Sequence, residues 1–195
     1  MPENLKKLIS LINYFPWIWE KTSTKLALFL LNSNNNFLDD LSKNIKTIQE
    51  NIIKCSLCWS LIDKNKQICN ICDNKKRDDN IICVVEEYLD MLSIEWSWVY
   101  NWKYHILWWV ISPINWVFIW DLNFNNLFNR INNLDWKIEL IIATNPNIEW
   151  EATALYIKEE IKKRNLCKFV KLTRLSRWLS SWYIEYADNI TLINS

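Results

Sequence analysis

Four cysteines carry the clearest chemistry in this chain. Cys55 and Cys58 form one C-x2-C pair, and Cys69 and Cys72 form a second one ten residues further on. Two such pairs on tight turns let four sulfurs converge tetrahedrally on one ion, the pattern of a structural Zn²⁺ site. Four protein ligands leave no open position for substrate, so the expected role is to hold a segment too small for its own core. A redox dithiol is the rival, but one pair would suffice for that. Cys83 and Cys167 stand in apolar, strand-like surroundings and are expected in the core.

Two further groups could act on a polyanion or a divalent cation. Trp17 and Trp19 lie in Phe15-Pro16-Trp17-Ile18-Trp19-Glu20-Lys21, between two apolar helical runs, with Lys25 one turn beyond Lys21. A tight turn at a helix start presents backbone N–H groups and the positive dipole end, which suit a phosphate. Lysines four apart share a helix face and add charge there. An ordinary helical hairpin with solvated lysines is the plain alternative. The acids are Glu86, after the apolar run 81–85, and Glu149 and Glu151, which follow Asn145-Pro146-Asn147.

Composition is abnormal in one respect: the 195 residues include 14 Trp and no Gly. Average usage predicts on the order of 14 Gly in a chain this long, and turns of positive φ depend on them. The two anomalies cancel if UGA codons read as glycine by the source organism are written here as tryptophan. Restoring Gly at 17 and 19 turns the hairpin into FPGIGEK, whose amides are open to phosphate, whereas two indoles would block them. A truly Trp-rich protein is the competing reading.

The remaining composition is that of a folded domain. The net charge of +1 announces no general nucleic-acid binder, so DNA contact must come from a local patch. Residues 104–120 lack Lys, Arg, Asp and Glu. They are short for a membrane span and contain His105, Pro113 and Asn115, so they are read as core strands and turns. No signal peptide is expected, and cysteine usage suits a reducing cytoplasm.

These groups need positioning elements. Leu5, Leu8, Ile9 and Ile12 recur at helical spacing; 21–31 and 37–53 continue the helical region. Beyond the cysteines, apolar runs at 81–85, 104–107, 140–143 and 169–172 predict strands. Segments 89–95, 122–134 and 152–164 predict the helices between them. The fold class expected is α/β with a mainly parallel sheet, α+β over the whole chain. The expected division is a helical region 1–53, a cysteine module 54–78, an α/β domain 79–173 and a C-terminal segment 174–195.

The motifs also resemble known families. FPWIWEK, with Gly restored, resembles the helix–hairpin–helix DNA-binding element. The run ICVVEE and the segment 143–152 resemble the Toprim domain of topoisomerases and primases. Active Toprim enzymes hold Mg²⁺ on a Glu and an Asp-x-Asp pair; here the matching pair is Asn145 and Asn147, and carboxamides bring no charge to Mg²⁺. A Mg²⁺-dependent Toprim nuclease or primase-like enzyme is the alternative function that this departure argues against.

In this order the three motifs resemble the RecR family of recombination mediators over nearly the whole chain. Lys76-Arg77-Asp78, Tyr104-His105-Ile106-Leu107, Ile111-Ser112-Pro113, Arg174-Leu175-Ser176-Arg177 and Glu185-Tyr186-Ala187-Asp188 carry the likeness further. Trp17, Trp19, Trp59, Trp98, Trp102, Trp109, Trp116, Trp150, Trp178 and Trp182 fall where that family usually has Gly, and Trp108 and Trp136 where Gly is common. Trp96 and Trp120 do not. The sequence departs from the family at 116–119, in a short loop at 179–183, and in an early C-terminus.

The resemblance implies a non-enzymatic DNA clamp, a dimeric or tetrameric ring in the cytoplasm and nucleoid. Working with RecO and RecF, it would help load RecA onto single-stranded gaps. It implies Lys21 and Lys25, with the Trp17 and Trp19 turn, at DNA. It implies Glu86, Glu149 and Glu151 at a partner protein, and Zn²⁺ on Cys55, Cys58, Cys69 and Cys72. His105 is expected to be a packed strand residue, not a general base.

Overall fold

The computed structural model describes residues 1–97, 100–108, 123–134, 136–143 and 148–174, the side chains of 148–150 excepted. The chain divides into two compact units, Met1–Asn51 and Ile52–Ser195. In the first, helices α1 (Glu3–Asn13) and α2 (Glu20–Leu31) pack together, followed by α3 (Asn35–Asn51). Ile12 of α1 and Ser23 and Ala27 of α2 are the buried residues, small enough on α2 for close approach. α3 carries Leu38, Leu41, Ile45 and Ile48 at helical spacing, yet none of its residues is buried.

The second unit begins with a hairpin of β1 (Ile52–Lys54) and β2 (Leu61–Asp63), antiparallel, Ile52 opposite Asp63. The third helix was expected to run to residue 53 and instead stops at Asn51. Ile52 and Ile53 are β-branched and take up ladder bonds with β2, which outweighs the helical periodicity they also continue. A short helix, α4 (Asn70–Asp73), closes the cysteine module.

Four parallel strands follow in the spatial order β4-β3-β5-β6: β3 (Asp78–Val85), β4 (Trp102–Ile106), β5 (Ile138–Ala143) and β6 (Val170–Arg174). All three pairings are parallel, as expected of an α/β domain. The two central strands read as apolar runs, 81–85 and 140–143, because both sheet faces are covered there, whereas the outer strand β6 alternates and leaves Lys171 and Arg174 exposed. Ile82, Val84, Leu140 and Ile142 face α6 (Phe124–Asn132) and α7 (Ile148–Lys163), while Cys83, Val85, Tyr104, Ile106 and Ile141 form the opposite layer with Met91 and Ile94 of α5 (Tyr88–Trp96).

Chain order reverses between β3 and β5, so the carboxyl ends of these two strands flank the crevice where open α/β sheets place their sites. Cys83 lies in the core as expected, and burial pushes its thiol well up. Cys167 does not. It is exposed on a 3₁₀ turn, Leu166–Lys168, entered through a left-handed Asn165, so the apolar run begins its strand only at Val170.

His105 is fully buried in β4 and donates from Nε2 to the Asn123 carbonyl, 3.1 Å away. Burial first, and Arg130 second, push its pKa down to about 3. The folded state therefore keeps this imidazole neutral, while the unfolded chain takes up its proton near pH 6.5. Stability from this group is complete above about pH 6.5 and is lost as pH falls toward 3. Between pH 6.5 and 5 the wild type is expected to lose about 2 kcal/mol more than His105→Gln, read by urea unfolding.

Candidate functional site

The four cysteine sulfurs lie within 4.8 Å of one another, and all four residues are buried. Local backbone explains how. β1 and β2 bring Cys55 back over Ser60, whose carbonyl accepts from the Cys55 amide at 2.7 Å. The Ser60 amide donates to Cys58 Sγ at 3.4 Å, and the Cys72 amide to Cys69 Sγ at 3.3 Å. The Cys69 amide reaches across to Cys55 Sγ at 3.3 Å. Sulfurs that accept amide hydrogen bonds are prepared to carry negative charge.

Four sulfurs this close, all reduced, form a donor set for a soft tetrahedral ion. The residues fit a structural metal.

The turn of the first knuckle closes at Trp59, which is left-handed at φ 63°. The Trp59 amide donates to the Cys55 carbonyl at 3.0 Å. Trp108, at φ 74°, is left-handed too, and its indole donates to the Trp59 carbonyl at 2.9 Å. Lys54 Nζ sits 4.7 Å and 4.4 Å from the centres of these two rings, and burial lowers its pKa. Among the described residues, three of the four non-glycine residues at positive φ are tryptophans: Trp17, Trp59 and Trp108.

In the first unit, the α1–α2 turn places Pro16 ahead of Trp17 at φ 65°, and the Ile18 amide returns to the Phe15 carbonyl at 3.4 Å. Pro followed by a positive-φ residue is the arrangement in which a turn ordinarily takes Gly third. Trp17 and Trp19 are 93% and 78% exposed. Trp19 is the N-cap of α2, and no side chain caps that end. Lys21 and Lys25 are exposed on α2, away from the buried Ser23 and Ala27. Glu20 opposes their charge in the first turn.

The expected acids fall at the sheet's carboxyl end. Glu86 directly follows β3, and its carbonyl accepts from the Trp108 amide at 2.8 Å. Glu149 and Glu151 lie in the first turn of α7, after β5; the Glu151 carboxylate takes a hydrogen bond from Arg174 at 2.7 Å. Asn145 and Asn147 lie outside the described residues. Lys103 was not singled out from sequence, and Arg77 entered only within the resemblance stretch Lys76-Arg77-Asp78. Lys103 is nearly buried and binds the Cys72 carbonyl at 2.7 Å and Asp79 at 2.8 Å. Arg77 pairs with Glu95 and donates to the Trp102 carbonyl at 3.0 Å. The available signal was a lysine inside the apolar strand WKYHI.

Among the described residues, no helix is long and apolar enough to cross a membrane. Residues 80–173 match the Toprim domain family. The whole chain is similar to curated recombination proteins RecR. It is 38% identical to that of Brachyspira hyodysenteriae over 99% of this chain and 94% of the relative. It is 35% identical to that of Myxococcus xanthus over 98% and 94%, and 37% identical to that of Dehalococcoides mccartyi over 96% and 89%. A parallel Toprim sheet, a four-cysteine cage ahead of it and end-to-end similarity at this level lead to one conclusion: the chain belongs to the RecR family of recombination proteins.

Proposed function

We propose that this chain is a recombination mediator of DNA repair that holds DNA without catalysing a reaction on it. The observation that carries the DNA contact is the left-handed turn at residue 17, ahead of an uncapped α2 start flanked by exposed Lys21 and Lys25. Such a helix start binds a phosphate through its amides and dipole, and the two lysines supply counter-charge. Zn²⁺ is the ion the four-cysteine cage suits, as a structural metal that does no chemistry on substrate.

The same reading holds that Trp17, Trp59 and Trp108 occupy glycine positions. A Cβ is penalised in that conformation, and tryptophan lacks the short polar side chain with which a residue such as Asn165 offsets the penalty. It assigns Glu86, Glu149 and Glu151 to a partner surface for RecO or RecF, through which RecA is loaded onto single-stranded gaps. It takes the carboxamides of Asn145 and Asn147 as the reason the Toprim crevice is chemically idle. The unburied apolar face of α3 supports closure into a dimeric or tetrameric ring. The site of action is the cytoplasm, at the nucleoid.

Replacing Lys21 and Lys25 together with Ala is expected to weaken single-stranded DNA binding. It should also reduce the slope of log K against log salt by about 1.4, two phosphate contacts at about 0.7 each. Fluorescence anisotropy over 50–300 mM salt reads both; an unchanged slope removes the hairpin from the interface. Metal-dependent cleavage of DNA, abolished by Glu86→Gln, would instead favour a Toprim nuclease.

A further inference from the structure

The cysteine module is bonded to the sheet through its own ligand residues. The Cys58 carbonyl accepts from the Ile106 amide at 2.9 Å, and the Cys72 carbonyl accepts from Lys103 Nζ at 2.7 Å. Both donors belong to β4, which stands at one end of the strand order and pairs with β3 alone among the described strands. One ligand from each C-x2-C pair is therefore tied to the same outer strand. A sheet edge left with unpaired amides must be covered by something, and at Ile106 the first knuckle supplies that cover.

Lys103 is an unusual residue to find in that place. Its side chain is 7% exposed, and its charge is met by Asp79, which is 57% exposed. An ammonium withdrawn from water needs its partners held in place, or it destabilises the strand that carries it. One of those partners is the carbonyl of Cys72, whose position depends on the knuckle closing round the ion. Conversely, four thiolates on a divalent ion carry a surplus of negative charge, and a buried cation bonded to one ligand's backbone offsets part of it.

We propose that Lys103 is a positioning residue for the metal centre, and that ion binding and closure of the β4 edge are one linked equilibrium. This rests on reading the cage as a metal site. Linkage is reciprocal: whatever the ion adds to the docking of β4, the docked strand adds to the affinity for the ion. A module that folded by itself and merely leaned on the sheet would show neither effect.

The test uses the full chain and Zn²⁺, with affinity measured by competition against a chromophoric chelator. Lys103→Met is expected to weaken Zn²⁺ binding 10- to 100-fold, and Lys103→Arg, which keeps the charge, to recover most of it. Ile161→Val, in α7, lowers the melting temperature and should leave Zn²⁺ affinity unchanged, which separates the linkage from general loosening. Stripping Zn²⁺ from the wild type should speed amide exchange in the peptide 102–106 by at least tenfold. Should Lys103→Met fail to fold, Asp79→Asn takes its place, with a several-fold weaker affinity expected. Wild-type protein that binds no Zn²⁺ overturns the metal reading itself. Wild type that binds it, with a folded Lys103→Met (or Asp79→Asn) of equal affinity, or with 102–106 still protected after stripping, overturns the linkage alone.

Discussion

Cys58→Ser is expected to emerge from purification without zinc and to melt at least about 10 °C below the wild type. Structural Zn²⁺ sites bind with apparent free energies of roughly 10–16 kcal/mol, against a domain stability of roughly 5–15 kcal/mol. Cys58 is 1% exposed and its Sγ lies 3.5 Å from that of Cys69. Serine there keeps the volume and removes the thiolate. The three remaining sulfurs would repel one another round an incomplete cage. Elemental analysis and thermal unfolding read the two effects together. Zinc retained at one ion per chain, with an unchanged melting temperature, would contradict a structural metal.

Trp17→Gly is expected to raise stability by about 1–2 kcal/mol, whereas Trp17→Ala should leave it nearly unchanged. The difference isolates the Cβ, because both variants remove the indole while only glycine escapes the left-handed penalty. Residue 17 is the clean place for this comparison: the side chain is 93% exposed and loses little contact when deleted. Trp59 and Trp108 are less clean, since each ring also meets Lys54. Trp17→Gly with Trp19→Gly should also tighten DNA binding at least several-fold by uncovering the α2 amides. Equal stabilities for the Gly and Ala variants would show that the turn does not demand glycine. At the level of the gene, UGG codons at these positions would end the reassignment.

Legibility in the sequence followed the range of the interactions. The cysteine spacing announced the cage because both knuckles are local, each closed within three residues. The apolar runs at 81–85 and 140–143 announced the parallel sheet because both of its faces are buried at the two central strands, which erases alternation along them. What was not legible depends on partners distant along the chain. Ile52 and Ile53 continue the helical period of α3 and become strand only because Leu61–Asp63 returns beside them. Cys167 reads as core until Asn165 turns the chain into the 3₁₀ segment Leu166–Lys168, which leaves it exposed ahead of a strand that begins at Val170. Lys103 breaks an apolar run, but its reason lies 31 residues earlier, at the Cys72 carbonyl.

The strand order also sets a schedule for synthesis. β3 is central, yet its second neighbour, β5, begins at Ile138, 32 residues after β4 ends at Ile106. At roughly 5–20 residues per second on the ribosome, one edge of β3 waits on the order of 2–6 s for its partner. During that interval the run Ile81–Val85 offers unpaired amides and β-branched side chains to any neighbouring nascent chain. Ribosomes stalled between residues 110 and 135 would therefore release products prone to aggregate. Codon usage that hastens translation through that stretch would be the natural remedy.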